Sequence, residues 1–156
     1  MQDQFAGLGL DERGVERAVA LYREGFKQHG LYENYVYEGI EDSLNALDAA
    51  AVRMAVATSK PTDFATRIVA HFDLTRHFDL VAGATLDGTR RMKADIIGFA
   101  LASLGAAAGD AVMVGDRSQD IDGARAHGMR SIGVAWGYAE PCELEKAGAD
   151  LVVQSP

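Results

Sequence analysis

Apolar residues at Val15, Ala18, Val19, Tyr22 and Phe26 follow the i, i+3, i+4, i+7 spacing of one helix face, and Gly30 supplies a stop. This pattern predicts an amphipathic helix running from Asp11. A Tyr-rich connection, Tyr32 to Tyr37, leads to Gly39 and a second helix with Ile40, Leu44 and Leu47 on its inner face. The period then changes. Arg53 to Thr58 is a short, mostly apolar run ending in small polar residues, as expected of a strand buried on both faces. A helix over about 62–71 follows, with Phe64, Ile68 and Phe72 inward. The same alternation repeats: a strand over Phe78–Gly83, a helix over Lys93–Leu104 with Ile97, Leu101 and Leu104 on one face, and a strand over Ala111–Gly115. Beyond it come a helix over Ser118–His127 closed by Gly128, a strand over Ser131–Ala135, a short helix over Cys142–Ala147 and a last strand from Asp150 to Val153.

Strand and helix alternate from Arg53 onward, which predicts an α/β fold: a Rossmann-like parallel sheet with helices on both faces. Ligands of such folds sit beyond the carboxyl ends of the strands. The first fifty residues contribute no strand and read as a separate helical layer or lid.

Composition narrows the function. The chain has 156 residues, about one domain by length. Lys plus Arg total 15 against 23 Asp plus Glu, a formal charge of -8, which opposes binding to a nucleic-acid backbone. The single cysteine, Cys142, cannot form an internal disulfide, and this favours a reducing, cytoplasmic setting. The longest uncharged stretch, Ile96 to Gly109, is shorter than the roughly 18 to 20 apolar residues of a membrane span. Charges at Asp3, Asp11, Glu12, Arg13, Glu16 and Arg17 leave no apolar signal-peptide core in the first thirty residues.

Three strand ends carry polar residues. Thr58-Ser59-Lys60-Pro61 places a hydroxyl, backbone amides and an ammonium near a helix start, which suits an anion such as phosphate. The same residues also suit helix capping, with Thr62 or Ser59 satisfying free amides. Lys93 opens a helix against the helix dipole, either as part of a site or as an ordinary exposed lysine. Gly115-Asp116-Arg117-Ser118-Gln119-Asp120 is the sharpest signal. Asp116 and Asp120, four apart across a tight turn, can both face one hard cation such as magnesium. The plainer reading makes Asp116 a cap and Asp120 a favourable charge at a helix N-terminus. Asp122 reads as solvated.

Thr58-Ser59-Lys60, then Lys93, then Val114-Gly115-Asp116 with Asp120, in that order on alternating strands and helices, resembles the haloacid-dehalogenase-like hydrolases. Tyr37-Glu-Gly-Ile40, Ala55-Val-Ala-Thr-Ser-Lys-Pro61, Leu86-Asp-Gly-Thr-Arg90, Gly115-Asp-Arg and Gly133-Val-Ala-Trp-Gly-Tyr138 look like the phosphoglycolate-phosphatase and 5'-nucleotidase-like branch. The resemblance implies a magnesium-dependent phosphatase of a small phosphorylated metabolite, acting through an aspartyl-phosphate. It implies that Thr58 binds phosphoryl oxygens, Lys93 stabilises charge on nucleophile and phosphate, Asp116 holds Mg2+ and Asp120 supports the metal or its waters. Ser59 and Lys60 become candidates for substrate contact. For the Trp136-Gly-Tyr138 loop, aromatic packing is expected over a direct role in the pocket.

One departure stands out: the family's Asp-x-Asp-Gly-Thr motif, which supplies the nucleophile and general acid, does not occur. Leu86-Asp87-Gly88-Thr89 follows no hydrophobic strand ending in Asp-x-Asp and is rejected as its equivalent. The expected organisation is a partial helical cap over 1–36 and a core over 37–156 lacking its first strand. In this family that strand lies mid-sheet, so three outcomes stay open: a separate N-terminal segment supplies it, the sheet closes up differently, or the sequence is part of a longer protein. The chain alone is expected to be inactive, and an open sheet gap would encourage self-association. The alternatives are a non-catalytic phosphate-binding or interaction domain, a dehalogenase and a kinase-like phosphate-transfer role.

Overall fold

A computed structural model of the chain describes Gly7, residues 9–25 and residues 30–156. Phe26 and the Tyr22 side chain, assigned above to a helix face, lie outside what is described. The chain divides into two compact units, Met1–Tyr35 and Val36–Pro156. In the first, helix α1 (Glu12–Gly25) begins at Asp11, whose Oδ1 accepts the Gly14 N–H at 2.8 Å, so an aspartate satisfies an amide left open by the helix start. Val19 on this helix is buried, as the periodicity requires.

The second unit runs α2 (Ile40–Ala49), β1 (Ala55–Pro61), α3 (Thr62–His71), β2 (Leu80–Ala84), α4 (Lys93–Leu104), β3 (Val112–Gly115), α5 (Ser118–Ala126), β4 (Arg130–Val134), α6 (Glu143–Ala147) and β5 (Leu151–Val153). β2 starts two residues later than its apolar run because Thr75–His77 form a 3-10 turn and the Phe78 N–H closes it on the Thr75 carbonyl. The buried His77 ring pairs through Nδ1 with Asp48 of α2, tying that helix to the turn.

All strand pairs are parallel, but they form two sheets: β1 with β2, and β3-β4-β5. Among the described residues, no strand pairs with the second edge of β1 or of β3. The sheet does not close up on itself. Val112 and Val114 on β3 remain 40% and 56% exposed, a high value for strands of a parallel sheet.

One helix nevertheless serves both sheets. On α4, Ile96 and Ala100 pack with Ala82 and with Ala57, Leu80 and Ala84. Its Ile97 packs with Met113 of β3 and Ala124 of α5, again beside Ala57. The predicted face of Ile97, Leu101 and Leu104 is therefore widened by the fully buried Ile96, because α4 lies on β1 and β2 and against α5.

At its far end β1 is irregular. Register holds from Ala55↔Leu80 to Thr58↔Gly83, then shifts before Pro61↔Ala84. Gly83 makes the crossing possible: a Cβ there would lie 2.5 Å from the Lys60 carbonyl oxygen and 2.7 Å from the Thr62 nitrogen. Both obstacles are backbone and cannot swing aside. Gly83→Ala is expected to destabilise the unit by about 1–3 kcal/mol, read by urea denaturation. Gly109→Ala, with nothing within 4 Å of its added carbon, is expected to stay within about 0.5 kcal/mol of the parent.

Candidate functional site

The carboxyl end of β1 carries Thr58, Ser59 and Lys60. Thr58 Oγ1 accepts the Lys60 N–H at 3.2 Å, so the hydroxyl steadies the bulge. Capping does not explain this segment: Pro61 is the N-cap of α3 and makes no side-chain cap bond. Thr62 Oγ1 instead accepts the Gly83 N–H of β2 at 3.2 Å. Ser59 and Lys60 are exposed at the strand end.

Lys93 is no ordinary surface lysine. Its side chain is only 12% exposed, and Nζ donates to the Ala57 carbonyl at 2.9 Å while pairing with Asp120 Oδ1 at 2.6 Å. The ammonium thus spans from the residue before Thr58 to the helix after β3, and the paired carboxylate offsets its unfavourable place at a helix start. Two counter-partners are what make a buried ammonium tolerable.

Asp120 is fully engaged. Oδ2 accepts the N–H groups of Asp116 and Arg117, both at 3.1 Å, and Oδ1 faces Lys93. Asp120 thus orders the turn that carries Asp116, its expected partner at the cation, and anchors the lysine. Asp116 does not cap α5, since Arg117 holds the N-cap position. Its Oδ2 accepts the Tyr138 N–H at 2.8 Å, and among the described residues it makes no ion pair. Gly137 leaves the room for this: a Cβ there would sit 2.2 Å from Asp116 Cβ and 2.5 Å from Oδ2. The Trp136-Gly-Tyr138 loop therefore meets Asp116 through main chain, with Tyr138 78% exposed and Trp136 half-buried. Asp122 is exposed and paired with Arg125, consistent with a solvated role.

Two residues that sequence reasoning missed complete the surroundings. Glu143, at the start of α6, accepts the Ser118 N–H at 2.7 Å, the Glu140 N–H at 3.0 Å and Arg117 Nε at 3.0 Å. These bonds, the Ser118 amide foremost, lower its carboxyl from the usual 4.5 to about 2, and Glu143 in turn raises the Arg117 guanidinium. Arg90 donates through Nε to the Gly83 carbonyl at 2.9 Å and lies 3.7 Å over the Phe99 ring, locking the end of β2 to α4. Neither has a local sequence signal: Glu143 reaches an amide of a turn 25 residues away, and Arg90 bonds a main-chain carbonyl that no side-chain pattern marks.

The rejected Leu86-Asp87-Gly88-Thr89 segment is a loop closed on itself. Thr85 N–H reaches the Arg90 carbonyl and Arg90 N–H reaches Thr85 Oγ1, both at 2.9 Å. Asp87 accepts the Thr89 N–H and hydroxyl, and hydrogen bonds from the Thr85 side chain and from Thr89 lower its carboxyl from 3.8 to about 2. It shares no contact with Lys93. An open cavity of about 380 Å³ at the ends of β1 and β2, lined by Pro61–Asp63 and Ala84–Asp87, likewise lies apart from the Lys93–Asp120 pair.

Among the described residues, no three His, Cys, Asp or Glu side chains gather closely enough to hold a metal unaided. Magnesium commonly takes one or two carboxylates and leaves its other positions to water and substrate phosphate. Asp116, steered by the Tyr138 amide, given space by Gly137 and in no ion pair among the described residues, fits such a partial donor set.

A profile of the haloacid dehalogenase-like hydrolases matches residues 2–134, and the chain belongs to that family. It is 40% identical over 155 residues to tyrosine-protein kinase PtkA of Mycobacterium tuberculosis, covering 99% of this chain and 53% of that protein. It is 45% identical over 136 residues to a 5'-nucleotidase of Pseudomonas aeruginosa, covering 87% of this chain and 62% of the relative. A predicted phosphatase from Clostridium acetobutylicum superposes with a TM-score of 0.93 at 41% identity, over 99% of this chain and 72% of that one. The chain spans about half the length of PtkA. No described helix is long and apolar enough to cross a membrane.

Two outcomes test this geometry. Lys93→Met strands Asp120 beside a buried site and is expected to cost about 3–5 kcal/mol; the double variant with Asp120→Asn should lose less than the two single losses together, as a urea double-mutant cycle would read. The Glu143 contact carries a pH signature. Its folded pKa lies below the unfolded one, so its stabilisation is complete above about pH 4.5 and fades as pH falls toward 2. Parent and Glu143→Gln should therefore converge in stability from about pH 5 to about pH 2 in stepped-pH urea melts.

Proposed function

We propose that this chain is the phosphate- and cation-binding part of a magnesium-dependent phosphatase acting on a small phosphorylated metabolite. The observation that carries the reading is the Lys93 ammonium, held between the end of β1 and Asp120, beside Asp116, a carboxylate that makes no ion pair among the described residues. Thr58 would donate its hydroxyl to a phosphoryl oxygen, and Lys93 would face the charge that accumulates on nucleophile and phosphate. Asp116 would hold magnesium, whose chemistry when bound is to neutralise charge on the phosphoryl group. Asp120 keeps Lys93 and the Asp116 turn in place, while Ser59 and Lys60 are set to meet the rest of the substrate.

The nucleophilic carboxylate comes from outside these residues. No Asp-x-Asp-Gly-Thr occurs, and the edges of β1 and β3 that no described strand covers suit an added parallel strand or, failing that, self-association. The sequence resemblance favours a phosphoglycolate or nucleoside monophosphate substrate. The charge of -8 argues against a nucleic-acid partner, and the lone cysteine suits a reducing cytoplasm.

Phosphate release from an activated aryl phosphate, with and without magnesium, tests the reading. The chain alone should give none. Addition of a strand segment carrying Asp-x-Asp-Gly-Thr should bring magnesium-dependent release, and Asp116→Asn should cut it by about a hundredfold. Release by the chain alone that vanishes in Asp116→Asn would place the nucleophile within these residues; unchanged release in that variant would overturn Asp116 as the metal ligand.

A further inference from the structure

The three main-chain N–H groups that follow β3 all end on carboxylates of the protein. Those of Asp116 and Arg117 go to Asp120, four residues away at most, but that of Ser118 goes to Glu143 on a different helix. Glu143 Oε1 takes the Ser118 N–H and the Arg117 guanidinium, while Oε2 takes the Glu140 N–H. Its carboxylate therefore lies where the N-termini of α5 and α6 approach each other, and a negative charge there favours both.

The two segments joined in this way are the two that hold Asp116. One is the Asp116–Ser118 turn itself. The other is the loop between β4 and α6, which brings the Tyr138 N–H to Asp116 Oδ2 and places Gly137 against its Cβ. Asp116 is thus gripped from both sides, and Glu143 is the side chain that bonds to both. The side chain is only 13% exposed and its charge is met by Arg117, so it is not itself offered to a cation.

We infer that Glu143 is a positioning residue for the Asp116 cation site: by fixing the separation of the two segments it sets the direction in which Asp116 presents its carboxylate. The inference rests on Asp116 as a magnesium ligand. Partners one step behind a metal ligand typically change metal affinity by 10- to 100-fold.

The test compares the parent chain with Glu143→Ala, Glu143→Gln and Asp116→Asn, titrated with Mn2+ alone and followed by the spin-resonance signal of free Mn2+. Backbone amide spectra and thermal melts are recorded on the same samples. Asp116→Asn should remove the site. Glu143→Ala should weaken Mn2+ binding about tenfold or more and shift the Ser118 and Tyr138 amide signals. Glu143→Gln, which keeps an acceptor oxygen for Ser118, should restore most of the affinity. Should Glu143→Ala fail to fold, Glu143→Asp keeps the charge but falls short of Ser118 and should show the same weakening. A lowered melting temperature with unchanged Mn2+ affinity would reduce Glu143 to a helix cap and overturn the inference. If the parent binds no Mn2+, or Asp116→Asn binds it equally well, the magnesium reading fails instead. The Tyr138 amide then decides: displaced in the Glu143 variant, it supports positioning of Asp116; unmoved, it refutes it.

Discussion

A single buried ammonium sets the terms for the rest of this molecule. Lys93 leaves water almost entirely, and it is tolerated because one neighbour is the carbonyl of Ala57 and the other is the carboxylate of Asp120. Those partners belong to different sheets' ends. With no strand pairing between β1 and β3 among the described residues, the lysine joins the packing of Ile97, Leu101, Met113 and Ala124 and the His127 bond to the Ala94 carbonyl in linking the two sheets. Asp120 is then committed on both oxygens, which fixes the turn that follows β3 and leaves Asp116 as the uncommitted acid.

The electrostatics follow from that allocation. Asp120 is matched by Lys93 and Glu143 by Arg117, while Asp116 accepts the Tyr138 amide, makes no ion pair among the described residues and acts on the neighbouring Arg117 charge without a direct bond. The turn's own N–H groups are consumed by carboxylates, so the turn does not act as an anion cradle. Positive charge reaches the site through Lys93, and negative charge through Asp116. The proposed ligand, a phosphate monoester with a divalent counter-ion, would call on both charges at once.

Much of the α/β architecture was legible from periodicity, because helices such as Thr62–His71 and Lys93–Leu104 carry clear faces and the strands between them are short apolar runs. Lys93, Asp116 and Asp120 were legible as a set, since their order along the strand ends is the signal. Their division of labour was not. A four-residue spacing is equally compatible with a shared cation and with a turn-ordering acid, and only the positions of the Asp116 and Arg117 amides distinguish them. Glu143, Arg90 and the Tyr138 amide were invisible for a related reason: each contact has a main-chain group on one side, at Ser118, Gly83 or Tyr138, where side-chain identity records nothing.

The loop from Thr85 to Arg90, which continues directly from β2, closes on its own atoms, and the Arg90 guanidinium fastens its far end back to the Gly83 carbonyl. Its shape is consequently a property of the segment, carried wherever the segment is anchored at both ends. Leu86, 63% exposed at its tip, can change identity without a debt to the core. Folding thus leaves what this tip presents to solvent open at Leu86, while Thr85, Asp87 and Thr89 are bound to the shape of the loop itself.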